Sequence, residues 1–384
     1  MPSRSALYKL VRLLIKIERV CIKGNYKMSA GEEANGVGKM TTGGESHQIN
    51  VARLDSWMRE NIEDYTGPLQ VTKFADGQSN PTFKIETNGD TYVLRRKPIG
   101  NLVASAHAVD REFRVISALQ AQGFLVPRTY ALCMDDSVIG SAFYVMAMIE
   151  GRVFTDQLLP DVAFEDRRAI FVSQAETLAK LHSYDPAQIG LADYGKPGNY
   201  FERQVRLWQR QYRAAQDRDI PEMEKMLEWL PQSVPTQQSL SIVHGDYKLH
   251  NVMFHKTSPK VEAVLDWELS TTGDPLADLS YMLMQWIRND ELFGGLAGVD
   301  LAALNIPTLQ EMAEIYCNAA GRTEVPDLNW YFAFNMFRLA GISQGIVGRI
   351  KAGNASSEKA HIAAGRIVPL AKSAWEYAQK AGAK

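Results

Sequence analysis

The sequence predicts an α+β protein of two lobes, a small antiparallel sheet followed by a larger, mainly helical body. Three observations predict it. Between residues 69 and 149, short apolar runs alternate with turn residues and are interrupted by a single helical stretch. After Glu150-Gly151 the apolar spacing lengthens to that of helices. Three brief strand-like runs, SIVH, NVMFH and VEAVLDW, then return inside the helical half and frame a polar loop.

Taken in order, residues 1–49 stand apart from the rest. Leu7, Leu10, Leu14, Ile17 and Cys21 fall on one helical face, and Lys9, Arg12, Lys16, Arg19 and Lys23 largely on the other. This basic amphipathic pattern over residues 1–27 suits weak association with a membrane surface, or organellar targeting if the source is eukaryotic. The plainer alternative is an upstream extension translated from a start before Met28 or Met40. From Ser29 the Gly-, Ser- and Glu-rich stretch reads as a flexible linker.

The sheet lobe spans 50–149. NVARLDSWMREN opens it as a short helix with Leu54, Trp57 and Met58 inward. Val71 and Phe74 mark a first strand region, PTFKIET a second and TYVLRR a third, with AsnGlyAsp at 88–90 as the hairpin turn. A helix over about 105–121 carries the apolar stripe Val109, Phe113, Ile116 and Leu119. VPRTYALCM and GSAFYVMAMIEG complete an antiparallel sheet, with a turn around Asp135, Asp136 and Ser137. The helical lobe, 150–384, contains helices in FEDRRAIFVSQAETLAKLHS, NYFERQVRLWQRQYRAAQ, PEMEKMLEWLPQ, PLADLSYMLMQWIR, TLQEMAEIYCNAAG and LNWYFAFNMFRLAGISQGIVGRI, and beyond Ser357.

Bulk properties exclude several classes. A formal net charge of -2 over 384 residues offers no electrostatic case for nucleic acid. Cys21, Cys133 and Cys317 lie far apart and match no thiolate metal spacing, so a reducing, cytoplasmic setting is expected. No apolar stretch reaches transmembrane length, and no repeat is present. G-x-S-x-G, the P-loop lysine motif and the dinucleotide fingerprint are all missing. His182, His244, His250 and His255 show no zinc-like spacing.

The polar loop is the chemical centre. In HGDYKLHN, Asp246 and Asn251 sit five residues apart between two strands, and Asp266 ends the strand VEAVL. A carboxylate and an amide oxygen that converge there make an all-oxygen site suited to Mg²⁺. Asp246 is then left to orient a hydroxyl or accept its proton. An Asx-rich pair of turns that merely satisfies backbone amides is the alternative for any one of these residues.

HGDYKLHNVMF followed by VLDWE closely resembles the catalytic and metal-binding segments of the aminoglycoside phosphotransferase and choline kinase-like superfamily, small-molecule relatives of the protein kinases. The resemblance covers about 68–350 and implies a protein-kinase-like fold with ATP and Mg²⁺ as cofactors. It assigns Asp246 as the catalytic residue and Asn251 and Asp266 as the metal ligands. In GDPLADLS it gives structural roles to Asp274, which supports the catalytic loop, and Asp278, which braces the following helix. FADGQSNPTFKI resembles the family's substitute for a glycine-rich phosphate loop, with Gly77, Ser79 and Asn80 placed to meet phosphate oxygens. Arg95 in YVLR stands where the wider kinase pattern has lysine, with Glu112 as its expected partner; a surface ion pair worth about 0–1 kcal/mol is the plain alternative. Alternation turns Arg95 and Lys97 to one face of the strand and Arg96 to the other. FYVMAMIEG resembles the adenine-binding strand and hinge, with backbone contacts at Ala147, Met148 and Ile149 and Glu150 near the ribose. His182 and His244 are expected as packed, hydrogen-bonding residues.

YVLRRKP, SAHAVDREFRV, FYVMAMIEGRVF and LDWELSTTGDPLADL resemble more closely the kinase-like domain associated with acyl-CoA dehydrogenases. That branch implies a hydroxyacyl-CoA acceptor and an acyl-CoA dehydrogenase pathway partner. With only a terminal helix after Ile350, the chain reads as a free-standing kinase partner. Arg203, Arg206, Arg210 and Arg213 suit a solvated helix first and an anionic substrate second. The expected activity is ATP-dependent phosphotransfer to a small-molecule alcohol. An aminoglycoside or amino-alcohol kinase, and a nucleotide-binding pseudoenzyme acting as an interaction module, are the alternatives.

Overall fold

A computed structural model describes residues 49–74, 80–99, 108–288, 294–351 and 357–384. The amphipathic segment 1–27, the linker, Cys21, Gly77 and Ser79 lie outside the described residues.

The chain enters through α1 (Val51–Asn61), whose first turn is capped by the Asn50 side chain accepting from the Arg53 N–H at 3.1 Å. Leu54 and Met58, four residues apart, bury fully, and Trp57 meets the Phe143 ring edge-on at 4.7 Å. Strands β1 (Gln70–Lys73), β2 (Thr82–Glu86) and β3 (Thr91–Arg96) follow, then α2 (Val109–Ala121), β4 (Thr129–Cys133), a single helical turn α3 (Asp136–Ile139) and β5 (Phe143–Ala147). The strands form one antiparallel sheet in the order β1-β2-β3-β5-β4. The turn expected at Asp135–Ser137 is thus one turn of helix, capped by Asp135 accepting from the Ser137 N–H.

Strand periodicity sorts the sheet's two faces. Phe83, Ile85, Tyr92 and Leu94 pack with Leu54 and Met58 on one side. Arg96 points to that same side, fully buried with its guanidinium 5.4 Å from the Phe83 ring centre. Arg95 points the other way, toward α2 and the helical lobe, as alternation predicts.

The second lobe begins at β6 (Arg152–Val153). Helices α4 (Phe164–His182), α5 (Tyr200–Ala215) and α6 (Pro221–Gln232) precede β7 (Ser241–Val243), a 3-10 turn at Leu249–Asn251, β8 (Val252–Phe254), β9 (Val261–Val264) and β10 (Thr271–Gly273). Then come α7 (Leu276–Leu283), α8 (Leu309–Ala320), α9 (Asn329–Lys351) and α10 (Ser357–Lys380). A reciprocal Thr308–Glu311 capping box starts α8. Two strands were not anticipated. β6 has two residues and pairs with β8; β10 is Thr-Thr-Gly and pairs with β7. Neither is long or apolar enough to show a period of two.

Candidate active site

The loop 244–251 connects β7 to β8, and its shape is set from below by one buried carboxylate. Asp278, on the first turn of α7, accepts the backbone N–H of His244 at 2.6 Å and of Gly245 at 2.8 Å, one on each oxygen. His182 from α4 lies 3.4 Å away through Nε2 and bonds Tyr316 through Nδ1 at 2.7 Å. Burial alone would raise the Asp278 carboxyl, but its bonds to His182 and the His244 backbone hold it below the usual carboxylate range. Asp274 instead accepts the Leu276 N–H at 2.9 Å, at the start of α7. The roles expected of the two aspartates are therefore exchanged. Asp274 is consumed at the helix start, while Asp278, one helical turn on, faces the loop.

Gly245 has φ of 85°, and a Cβ there would lie 2.6 Å from the Leu269 carbonyl oxygen. Both features exclude a larger residue. Gly245→Ala is expected to destabilise the fold by about 1–3 kcal/mol and to displace Asp246; urea unfolding and activity measured together check it. His244 completes the turn. Its Nε2 donates to the Leu265 carbonyl at 2.9 Å, so Nδ1 is left to accept the Asp246 N–H at 3.2 Å.

This scaffold brings Asp246, Asn251 and Asp266 together. Asn251 Nδ2 donates to both the Asp246 side-chain Oδ2 and its backbone carbonyl, each at 2.9 Å, which turns the amide Oδ1 outward. Asn251 also accepts the Leu265 N–H at 2.8 Å through its backbone, tying the loop to the strand end that carries Asp266. Asp266 itself adopts φ of 65°. Lys248, unassigned from sequence, lies 2.8 Å from Asp246 Oδ2. Its signal was the position two residues after Asp246. Burial alone would lower the Lys248 ammonium, but Tyr281 and Asp246 raise it above the ordinary lysine value, so it stays charged. Among the described residues no three His, Cys, Asp or Glu side chains converge as a metal cage. An amide oxygen with a single carboxylate still fits Mg²⁺, which completes its shell with water and phosphate oxygens.

Across the cleft, Arg95 carries its expected partner and two more. Its Nε lies 2.8 Å from Glu112 Oε2, a charge contact not aligned as a hydrogen bond. Its Nη2 lies 2.8 Å from Asp266 Oδ1 and 3.3 Å from Glu268 Oε2. Burial lowers the Arg95 guanidinium's proton affinity, yet these carboxylates together raise it above the ordinary arginine value. Asn80 departs from expectation. It is buried, and its amide donates to Glu112 Oε1 at 2.7 Å. The cause is position: Asn80 stands just ahead of β2, beneath the sheet and against α2.

Burial pushes Glu112 up to about 7 in spite of Arg95 and the Tyr144 hydroxyl 3.0 Å away. The folded protein then holds a proton at Glu112 that the unfolded chain releases near the ordinary glutamate value. Stability from this group is complete below the unfolded pKa and is lost as pH rises through about 7. Glu112→Gln is expected to flatten the stability-against-pH curve in that window, as denaturant titrations at several pH values check.

At the hinge, the Ala147 N–H is already bonded to the Arg128 carbonyl at 2.7 Å and the Met148 N–H to the Thr91 carbonyl at 3.3 Å. Those donors hold the sheet. Of the three residues whose backbone is expected to meet adenine, Ile149 has an N–H that makes no backbone hydrogen bond among the described residues. Glu150 is exposed and pairs with Lys256. The arginine stripe on α5 is engaged with its own neighbours: Arg206 pairs with Glu202, Arg213 with Glu224, and both line a groove against Leu227 of α6 with a volume of about 400 Å³.

Positioning phosphates opposite a hydroxyl is what such a loop, facing an Arg–Glu pair across a two-lobed cleft, does in kinases and their relatives. The chain belongs to the phosphotransferase enzyme family (APH), which matches residues 70–315. Its fold is that of the kinase-like phosphotransferases. Acyl-CoA dehydrogenase family member 11 of Gallus gallus is 43% identical over 87% of this chain and 44% of that protein. Acyl-CoA dehydrogenase family member 10 of Mus musculus is 41% identical over 83% of this chain and 30% of that protein. The chain thus spans less than half the length of these relatives. A provisionally assigned aminoglycoside phosphotransferase structure from Ralstonia eutropha is 46% identical, with a TM-score of 0.80 over 87% of this chain and 99% of that one. Choline kinase of Cryptosporidium parvum shares the fold at 13% identity and a TM-score of 0.59, covering 86% and 97%.

Proposed function

We propose that this protein transfers the γ-phosphoryl group of ATP to a hydroxyl on a small molecule, with Mg²⁺, and that the acceptor is a hydroxyacyl-CoA. The observation that carries the reading is the Asp246–Asn251–Lys248 cluster, held rigid by Asp278 and facing Asp266 and Arg95. Asp246 Oδ1 aligns the acceptor hydroxyl and takes its proton as that oxygen bonds to phosphorus and the bond to ADP breaks. Asn251 Oδ1 and Asp266 would hold Mg²⁺, which when bound would offset charge on the donor phosphates. Arg95 and Lys248 supply fixed positive charge to the transferring group. No covalent phosphoenzyme is needed.

Acyl-CoA dehydrogenase relatives motivate the acceptor class and an acyl-CoA dehydrogenase pathway partner. Lys248 beside Asp246 argues in the same direction, since a polycationic aminoglycoside would meet a like charge there. The test is transfer of labelled γ-phosphate from ATP, with and without Mg²⁺, across hydroxyacyl-CoAs, aminoglycosides and amino alcohols. Stable Mg²⁺-dependent product with hydroxyacyl-CoAs alone is expected. Product only with an amine-bearing acceptor would replace the acceptor class. Nucleotide binding with no product in any class would favour a binding module.

A further inference from the structure

Asp246 has two sides. The nucleotide side holds Asp266 and Arg95. Side chains of α5, α7 and α9 also gather beside the loop, and among them is an arginine that the phosphotransfer chemistry above does not use. Arg338, on α9, donates from Nη2 to the Gly245 carbonyl at 2.8 Å, one residue before Asp246. Its guanidinium carbon lies 5.3 Å from the Tyr281 ring centre and 5.6 Å from that of Trp208. Tyr281 in turn is a near neighbour of Asp246 and Lys248 as well as of Arg338.

The surroundings of Arg338 are unusual for a cation. Among the described residues no carboxylate lies within ion-pair distance of it, and its Nη1 makes no hydrogen bond. Its Nε is shut from solvent without an acceptor, and so is Nε1 of the neighbouring Trp208. Both atoms are donors only. A half-buried charge supported by one carbonyl and two ring faces lacks the anionic or carbonyl oxygen that would complete it.

We propose that Arg338 is a specificity-determining residue that binds an oxygen of the acceptor, the carbonyl of an acyl thioester, and so selects oxo-bearing alcohols over amine-bearing ones. The guanidinium fork holds the Gly245 carbonyl with one nitrogen and the acceptor oxygen with another, coupling acceptor binding to the position of Asp246. A cationic acceptor meets Lys248 and Arg338 together and is disfavoured. This placement of the acceptor rests on the phosphotransfer reading.

The experiment separates the two ideas by measuring binding apart from turnover. The full chain, saturated with the magnesium complex of a non-hydrolysable ATP analogue, is titrated by calorimetry with a hydroxyacyl-pantetheine thioester. The matched hydroxyalkyl thioether, which lacks the carbonyl, is titrated in parallel. Wild type is expected to prefer the thioester roughly ten- to hundredfold. Arg338→Gln is expected to bind the two equally while keeping its affinity for the nucleotide analogue and the wild-type melting temperature, which a misfolded loop would lower. Arg338→Lys keeps charge and stem and is expected to retain only part of the preference. Should the glutamine variant not fold, the lysine variant decides, and a preference it leaves unchanged overturns the proposal. No preference in wild type, or one that survives Arg338→Gln, overturns it too. An Arg338-dependent preference without phosphate transfer from ATP would uphold the residue's role and sink the phosphotransfer reading.

Discussion

Asp246→Asn is expected to lower turnover by ~10²–10⁴-fold with no change in nucleotide affinity. The substitution keeps the side chain's shape and its contacts with Asn251 and Lys248 in outline, but removes the proton acceptor. In the proposed reading the nucleotide is held by Arg95 and the hinge rather than by Asp246, so its affinity should not move. A nucleotide titration beside a steady-state assay checks both halves. Equal turnover in the two proteins would remove Asp246 from the chemistry.

The second large effect is on stability. Asp278→Ala leaves the His244 and Gly245 N–H groups without acceptors and His182 without its carboxylate, all in a fully buried site. Breaking such a buried charged network costs about 3–5 kcal/mol, which lowers the melting temperature by roughly 5–10 °C in a chain of this size. The sign of the pH dependence follows from the depressed Asp278 carboxyl. Its contribution is present above the unfolded aspartate pKa and is lost as pH falls through the folded value. The gap between wild type and variant should therefore be full at neutral pH and close in acid. Melting curves at both ends of that range check it. A gap that grows in acid would contradict the assignment.

Much of this was legible in the chain. The five-strand sheet lobe followed from alternation in PTFKIET and TYVLRR and from the AsnGlyAsp turn. The pairing of Arg95 with Glu112 followed from alternation along β3, which also sent Arg96 into the core. The loop stood out because Asp246, Asn251 and Asp266 are hard to explain between apolar strands. What escaped depended on contacts between distant segments. Asp278 and Asp274 are chemically alike, and only the packing of α7 beneath the loop decides which one holds it. Asn80 looks like a phosphate donor until α2 places Glu112 against it. Arg338 lies 92 residues after Asp246, in an aromatic helix whose periodicity reads as core, and nothing local marks it as a neighbour of Gly245.

The central claim is a single in-line transfer from ATP to an acceptor hydroxyl organised by Asp246. Its most direct test is the stereochemical course, using ATP made chiral at the γ-phosphorus by oxygen isotopes and a hydroxyacyl-CoA acceptor. One displacement inverts the configuration at phosphorus, and inversion in the phosphorylated acceptor is the predicted result. Retention would require a covalent phosphoenzyme and two displacements. That outcome, or label recovered only as free phosphate, would contradict the account.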